Sequence, residues 1–371
     1  MNEKKKVDYK IKVYTTKILL SILFFLVLSR ENFCFIKKNR IGVVSCENNN
    51  NIGNNLVKFA MYNKLKELKL DPVIIALTRY ENIYFIKKHL KLKEIKNSFE
   101  ELKESNFDYL MVNSDQTWVN ITPNFLPDIG FLKFAINWNI PKFIYGASYP
   151  LDEWRYSEKL SQNLGLLLKK INGISVRELS TIILAKKYFN VTPEFVLDPT
   201  LLIDKKYYLN LIKNYNGDFN SSQNYLCVYQ LDNNTKIKKF IQSSSLQLKL
   251  TIHRVNINKA NYIEDFIKCI YTSKAVITDS YHGTIFSIIF EKPFISFINN
   301  YRGNTRFKTI RYIFNAYNRI ISTKSSIKNK MKLLTKKFII NKKVFEHFKN
   351  KSLLFLKKNL LIKNKTICEH I

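Results

Sequence analysis

One run of five residues, Asp279 to Gly283, combines an acid, two hydroxyl groups and a histidine directly before a helix-like segment. The β-branched run 275–278 precedes it, so the pattern predicts a strand, a turn and a helix. Such a junction lies at the carboxyl edge of a parallel sheet, where the free N–H groups of the helix favour an anion and His282 can exchange protons near neutral pH. The same pattern also fits an ordinary helix cap made by Asp279 or Ser280, with His282 merely exposed.

Polar residues also follow four other predicted strands. Because the carboxyl ends of parallel strands meet at one edge of a sheet, we expect these residues to line a common cleft. Each group has a plain structural alternative, such as a strand that is broken at Asp198-Pro199 or a solvated helix that begins at Arg177-Glu178. The four groups are NSDQ at 113–116, GAS at 146–148, SVRE at 175–178 and LDPT at 197–200.

Apolar β-branched runs alternate with helix-like segments from residue 40 onward, which implies parallel sheets covered by helices on both faces. The charged stretch 93–104 is interpreted as a helix, and 345–360 as a last amphipathic helix. A length of 371 residues suggests two domains. We predict an α/β fold of two Rossmann-like domains facing each other across a cleft, with an N-terminal domain at 40–204, a linker at 205–224, and a C-terminal domain with a basic helical tail at 225–371.

Residues 1–39 form a basic and apolar N-terminal extension. Its uncharged run 18–29 is shorter than the ~20 residues that cross a membrane, and no signal-peptide cleavage pattern follows it. We therefore predict a cytoplasmic protein whose extension anchors it peripherally at the inner face of the membrane; a helix that packs on the body is the alternative. The five cysteines are far apart, so we expect neither a disulfide framework nor a zinc site, as in a reducing cytosol.

The formal net charge of +32 comes almost entirely from lysines spread along the chain, as a compositional bias would produce. Without an arginine-rich helix or a zinc-finger spacing, we predict no nucleic-acid partner. The chain has no G-x-G-x-x-G, no Walker loop and no G-x-S-x-G elbow. It also has no Asp-x-Asp, so we expect no metal-bridged diphosphate site and no cofactor.

The order of these motifs resembles that of the polysaccharide pyruvyl transferase family. The resemblance extends collinearly over about residues 40 to 360. It is carried by IGVVS at 41–45, NIGNN at 51–55, SDQTW at 114–118, GAS at 146–148, ISVRE at 174–178, VLDPTLL at 196–202, DSYHGTIFSIIFEKPF at 279–294 and RGNTRF at 302–307.

This resemblance implies a fold like that of GT-B glycosyltransferases and transfer of a pyruvyl group from phosphoenolpyruvate to a sugar, giving a pyruvate ketal on a cell-surface glycan or its precursor. It implies that Arg177 and His282 belong to the donor site and that Asp115 takes part. Some members carry an arginine two residues before this histidine, whereas this chain has Ser280. The donor-phosphate contact would then come from Arg302 or Arg306. Ser148 and Ser280 are further candidates for substrate binding.

These residue types suit that chemistry. Histidine can protonate the enol carbon, arginine can bind a carboxylate or a phosphate through two hydrogen bonds, and Asp115 can deprotonate the sugar hydroxyl. The expected partners are phosphoenolpyruvate and a glycan or lipid-linked sugar acceptor. The main alternative is a GT-B-like glycosyltransferase with a nucleotide-sugar donor. A non-catalytic binding module is a third class, and it predicts that Arg177 and His282 can be replaced without consequence.

Overall fold

The computed structural model describes residues 39–45, 51–77, 84–95, 98–119, 127–215, 224–257, 261–300, 302–325 and 330–367. The chain from Arg40 onward forms one compact unit that contains two parallel sheets. The predicted N-terminal anchor lies outside the described residues. Of the described helices, none combines the length and the apolar character that crossing a bilayer requires.

The first sheet has seven parallel strands in the order β3-β2-β1-β4-β5-β6-β7. Successive strands are added on one side of β1 up to β3 and on its other side from β4 onward, so the topological switch point lies between β1 and β4. Open α/β sheets bind ligands at the carboxyl ends of the strands at such a point. The strands are β1 (Arg40–Val44), β2 (Asp71–Leu77), β3 (Leu92–Ile95), β4 (Tyr109–Val112), β5 (Lys142–Ala147), β6 (Gly173–Val176) and β7 (Glu194–Phe195).

The second sheet has five parallel strands in the order β12-β11-β10-β8-β9. Its switch point lies between β8 and β10, where the Asp279 carboxylate accepts hydrogen bonds from the backbone N–H groups of Leu231 (2.7 Å) and Asp232 (3.1 Å). Asp279 therefore holds two strand ends together. The strands are β8 (Tyr225–Tyr229), β9 (Thr251–Arg254), β10 (Ala275–Thr278), β11 (Phe294–Phe297) and β12 (Ile320–Ile321).

Helices connect the strands, as crossovers between parallel strands require. The described α-helices are α1 (Ile52–Glu67), α2 (Tyr84–His89), α3 (Pro127–Gly130), α4 (Glu158–Leu168), α5 (Leu179–Phe189), α6 (Lys205–Ile212), α7 (Thr235–Leu248), α8 (Tyr262–Thr272), α9 (Tyr281–Ile289), α10 (Thr305–Ile313) and α11 (Lys342–Ile367). Short 3₁₀ helices lie at Phe99–Glu101, Glu104–Asn106, Lys133–Ala135, Pro199–Leu201 and Met331–Thr335.

The predicted α/β class is confirmed, but two local expectations were wrong. The charged stretch 93–104 begins in β3, an edge strand, and continues as short 3₁₀ helices. Lys93 and Glu94 are exposed there, in keeping with the charged residues that commonly protect sheet edges. In addition, Cys227 and Cys269 form a disulfide between β8 and α8, with Cα atoms 5.8 Å apart. Strand and helix packing brings together two cysteines that are distant in sequence.

The last helix, α11, packs on the first sheet although it follows the second one in sequence. The Phe355 ring lies 6.4 Å from that of Phe143 and 6.0 Å from that of Tyr145. The Ser352 hydroxyl accepts a hydrogen bond from the Leu197 backbone N–H at 2.8 Å. The largest hydrophobic core cluster accordingly contains residues of both sheets and of α11.

Candidate active site

Arg177 follows β6 and is surrounded by carboxylates. Its three guanidinium nitrogens donate to Asp198 (2.6 Å), Asp115 (3.0 Å) and Glu178 (3.3 Å), and its side chain is fully buried. Burial would lower the pKa of Arg177, but the charges of Asp198 and Asp115 outweigh it and raise that pKa above its usual value. Each of the three guanidinium nitrogens therefore donates to a protein carboxylate.

Asp115 follows β4 with a backbone φ of 135°, a conformation that non-glycine residues rarely adopt. Its carboxylate accepts hydrogen bonds from Arg177, from the Asn54 side-chain amide (3.1 Å) and from the Gln116 backbone N–H (2.8 Å). Burial raises the pKa of Asp115, but the charges of Arg177 and His282 lower it by a larger amount, so the net shift is downward. Asp115 is therefore ionised at neutral pH, and strained backbone geometry fixes its direction.

Glu178 and Asp198 complete the acidic shell of Arg177, and both side chains are fully buried. Burial raises the pKa of Glu178 in spite of Arg177, whereas Arg177 and His282 overcome burial at Asp198 and bring its pKa well below the usual range. The Ser148 hydroxyl donates to Glu178 at 2.7 Å and is itself buried. Ser148 thus contacts the acidic shell.

His282 lies in the first turn of α9, which Ser280 caps by accepting a hydrogen bond from the Gly283 N–H at 3.3 Å. The histidine is buried, so the expectation of a merely exposed turn histidine is wrong. Its Nε2 lies 3.7 Å from Asp198 Oδ2 and, within the described residues, has no hydrogen-bond partner. The ring packs directly on Gly53 at the start of α1, where a Cβ would collide with it.

Tyr281 and Arg306 form the other side of the site. The guanidinium carbons of Arg306 and Arg177 each lie 5.1 Å from the centroid of the Tyr281 ring, at cation–π distance. Arg306 is buried, and among the residues that the structure describes no carboxylate pairs with it and its Nε has no hydrogen-bond partner. Burial and the charge of Arg177 lower its pKa. When the Gln116 amide oxygen faces Arg306, it accepts from both terminal nitrogens at 2.9 Å.

Arg302 has a different environment from Arg306. Its side chain is half exposed, and its Nε and a terminal nitrogen donate to Asp232 Oδ1 at 3.1 and 2.9 Å. Its carbonyl oxygen accepts a hydrogen bond from Arg306. The structure therefore separates two arginines that the sequence left equivalent, because only Arg306 joins the buried group.

We call Asp115, Arg177, Glu178, Asp198, His282 and Arg306 the ionic cluster. Of the predicted site residues, Ser148 and Ser280 contact its members or cap its helix, and Arg302 lies at its edge. The sequence did not assign site roles to Gly53, Asn54 or Tyr281, although the NIGNN motif and the residue next to His282 were visible signals. Within the described part of the chain, no group of three or more histidine, cysteine or acidic side chains is arranged to hold a metal ion.

A protein-family model matches the part of the chain that supplies most of this cluster. The model of the family described as polysaccharide pyruvyl transferase matches residues 51–301, which is more than half of the chain. That range contains every member of the ionic cluster except Arg306. No curated protein matches the sequence significantly.

Solved structures similar to this chain have two Rossmann-like domains of the GT-B type. The UDP-GlcNAc 2-epimerase of Methanocaldococcus jannaschii aligns with a TM-score of 0.55 and 14% identity, over 85% of this chain and 98% of that one. A Listeria monocytogenes structure described as a UDP-N-acetylglucosamine 2-epimerase aligns with a TM-score of 0.51 and 10% identity, over 90% and 98% of the two chains. Identities this low establish the fold alone, and they confirm the predicted architecture.

Proposed function

We propose that this chain, which belongs to the polysaccharide pyruvyl transferase family, transfers the pyruvyl group of phosphoenolpyruvate to a pair of sugar hydroxyls and forms a pyruvate ketal on a glycan or its precursor. One observation carries the proposal: a buried histidine at a helix N-terminus lies beside a buried arginine that, within the described residues, makes no ion pair with a carboxylate. The donor supplies the carboxylate and the phosphate that such a group attracts.

Arg306 is the proposed anion-binding residue. The charge of Arg177 is already balanced by three carboxylates, whereas Arg306 meets the Gln116 amide and the Tyr281 ring. The charges of Asp115 and Glu178 favour the charged form of Arg306, but among the described residues neither makes an ion pair with it, so its guanidinium can pair with an anionic ligand. The N-terminus of α9 adds its free N–H groups to the same region.

His282 is the proposed general acid. In its protonated form it can deliver a proton to the methylene carbon of the donor, which leaves an oxocarbenium-like carbon for attack by the first sugar hydroxyl. Phosphate then departs, and the second hydroxyl closes the ketal. The Asp198 carboxylate lies 3.7 Å from His282 Nε2.

Asp115 is the proposed base for the attacking hydroxyl. Among the three carboxylates around Arg177 it alone has an exposed fraction, 10% of its side chain, whereas Glu178 and Asp198 have none. An acceptor hydroxyl can therefore approach Asp115 but not the other two. Its lowered pKa keeps it ionised and ready to accept a hydrogen bond at neutral pH.

Arg306→Ala is expected to weaken phosphoenolpyruvate binding by about 2 kcal/mol or more, which is ~30-fold in Kd, because a buried charge pair loses one partner. Arg302→Ala is the matched control: an exposed ion pair is worth about 1 kcal/mol or less, so its Kd should change less than ~5-fold. Calorimetric titration with phosphoenolpyruvate measures both. Equal losses in the two variants would contradict the assignment of Arg306.

A nucleotide-sugar donor is the alternative, because a GT-B-like fold and the N-terminus of α9 would also suit a diphosphate. Mass spectrometry distinguishes the two after incubation with sugar acceptors and either phosphoenolpyruvate or UDP- and GDP-sugars. A pyruvate ketal with released phosphate supports the proposed reaction. A glycosylated acceptor with released nucleotide supports the alternative.

We also propose that the N-terminal extension holds the protein at an anionic membrane surface. Its lysines should each contribute about 1 kcal/mol near anionic headgroups, and its apolar run inserts only shallowly. Deleting residues 1–36 should abolish co-sedimentation with anionic vesicles and preserve turnover on a soluble acceptor, while neutral vesicles serve as the control. A truncated chain that is unfolded by circular dichroism would instead assign the extension to the protein body.

A further inference from the structure

A cavity of about 520 Å³ lies apart from the ionic cluster, among α1, α2, α6 and α8. None of the six cluster residues lines it. The buried pair Asn55–Tyr262, joined by a 2.9 Å hydrogen bond, ties α1 to the start of α8. The volume of the cavity is in the range of sites that hold small organic ligands.

Three aromatic rings line this cavity: Phe59, Tyr207 and Tyr215. Phe59 is buried, while the two tyrosines are half-buried. The Tyr215 hydroxyl donates to Asp265 at 3.4 Å and the Tyr207 hydroxyl is hydrogen-bonded to Glu67, so the rings offer a ligand their apolar faces, which suit its C–H groups.

Side-chain amides provide half of the remaining lining residues. Asn210, Asn214 and Asn261 face the cavity, and in the described part of the chain their side chains make no hydrogen bond to protein. A carboxamide has two donors and an acceptor with two lone pairs, so several such groups match a ligand whose hydroxyls both donate and accept. This polar lining is neutral.

The charged residues of the cavity balance one another. Glu264 is buried and accepts a hydrogen bond from Lys88 at 3.2 Å. His89 Nε2 lies 3.9 Å from Glu264, beyond hydrogen-bond range, and has no hydrogen-bond partner among the described residues. A phosphate here would meet the Glu264 carboxylate, whereas a hydroxyl could bond to either Glu264 or His89.

We infer that this cavity binds a neutral saccharide, separately from the ionic cluster. The aromatic rings can pack on the C–H faces of a sugar, and the uncharged amides can hydrogen-bond its hydroxyls. Because Lys88 and Glu264 balance each other's charge, the cavity favours an uncharged ligand. The inference goes beyond the proposed reaction and does not depend on it.

The test is saturation-transfer NMR and titration of the full chain with lactose, maltose, cellobiose and N,N′-diacetylchitobiose. At least one should bind. Tyr207→Ala and the double variant Asn210→Ala/Asn214→Ala should each raise the Kd of the bound disaccharide ~10-fold. The two asparagines are exposed, so their replacement spares the fold. Tyr207→Phe, which keeps the ring, and Asn350→Ala, on the exposed face of α11, should bind as the wild type does.

The His282→Ala variant tests whether saccharide binding in the cavity is independent of the proposed reaction. This variant should bind the saccharide with unchanged affinity. Absence of binding by all four disaccharides, loss of binding in His282→Ala, displacement of the bound saccharide by inorganic phosphate, or wild-type affinity in both cavity variants would each overturn the inference.

Discussion

His282→Ala is expected to lower turnover by ~10²–10⁴-fold, the usual contribution of a proton-transfer group, and to change the Kd for phosphoenolpyruvate much less. The reason is geometric: His282 is buried at the start of α9, and its Nε2 has no hydrogen-bond partner within the described residues. Steady-state kinetics across pH should also lose one limb of the rate profile, because the proposed general acid is gone.

His347→Ala is the matched control, since His347 is exposed on α11 and should leave both the rate and the pH profile intact. A His282→Ala protein that keeps more than about a third of its turnover and its full pH profile would exclude His282 as the acid.

Arg177→Ala is expected to lower the free energy of unfolding by about 3–5 kcal/mol at neutral pH, because it leaves buried carboxylates without their cation. Arg177 holds the pKa values of Asp115 and Asp198 below their usual range. The stability that these two acids contribute is therefore fully present above about pH 4, their ordinary range, and is lost as the pH falls below it. The variant should lose this acid-side dependence, because its carboxylates now favour the protonated form.

Urea unfolding at pH 7 and at about pH 3, below the ordinary aspartate range, measures this difference. Arg155→Ala is the control, since Arg155 is exposed and no ion pair to its side chain is found among the described residues. Equal stability of Arg177→Ala and the wild type at pH 7 would contradict the role given to Arg177. Since Arg177 is fully buried, we expect its effect on the donor to act through the position of Asp115 and Tyr281.

The strand ends could be predicted because each is a short apolar run followed by polar residues. Asp115, Arg177, Asp198 and His282 all come from such ends, and parallel topology alone brings them to shared sheet edges. This is why the fold and most of the cluster were visible in the sequence.

The remaining details depend on contacts that no local pattern contains. Arg302 and Arg306 are four residues apart, and only packing decides that one pairs with Asp232 while the other is buried against Tyr281. The positive φ of Asp115 is likewise imposed by its surroundings, since aspartate does not prefer it. The edge strand β3 differs from the predicted helix because its two apolar residues, Leu92 and Ile95, are three positions apart, which is a helical rather than an alternating spacing.

The packing of His282 on Gly53 means that the ionic cluster is assembled from both halves of the chain. The carboxylates and Arg177 come from the first sheet, while His282, Tyr281 and Arg306 come from the second, so the seam between the two halves runs through the ionic cluster. Neither half alone carries both the proposed acid and its acidic neighbours. If the proposed roles hold, a gene split between the sheets would encode two inactive pieces, and a rearrangement that opened the seam would abolish activity without altering any of these side chains.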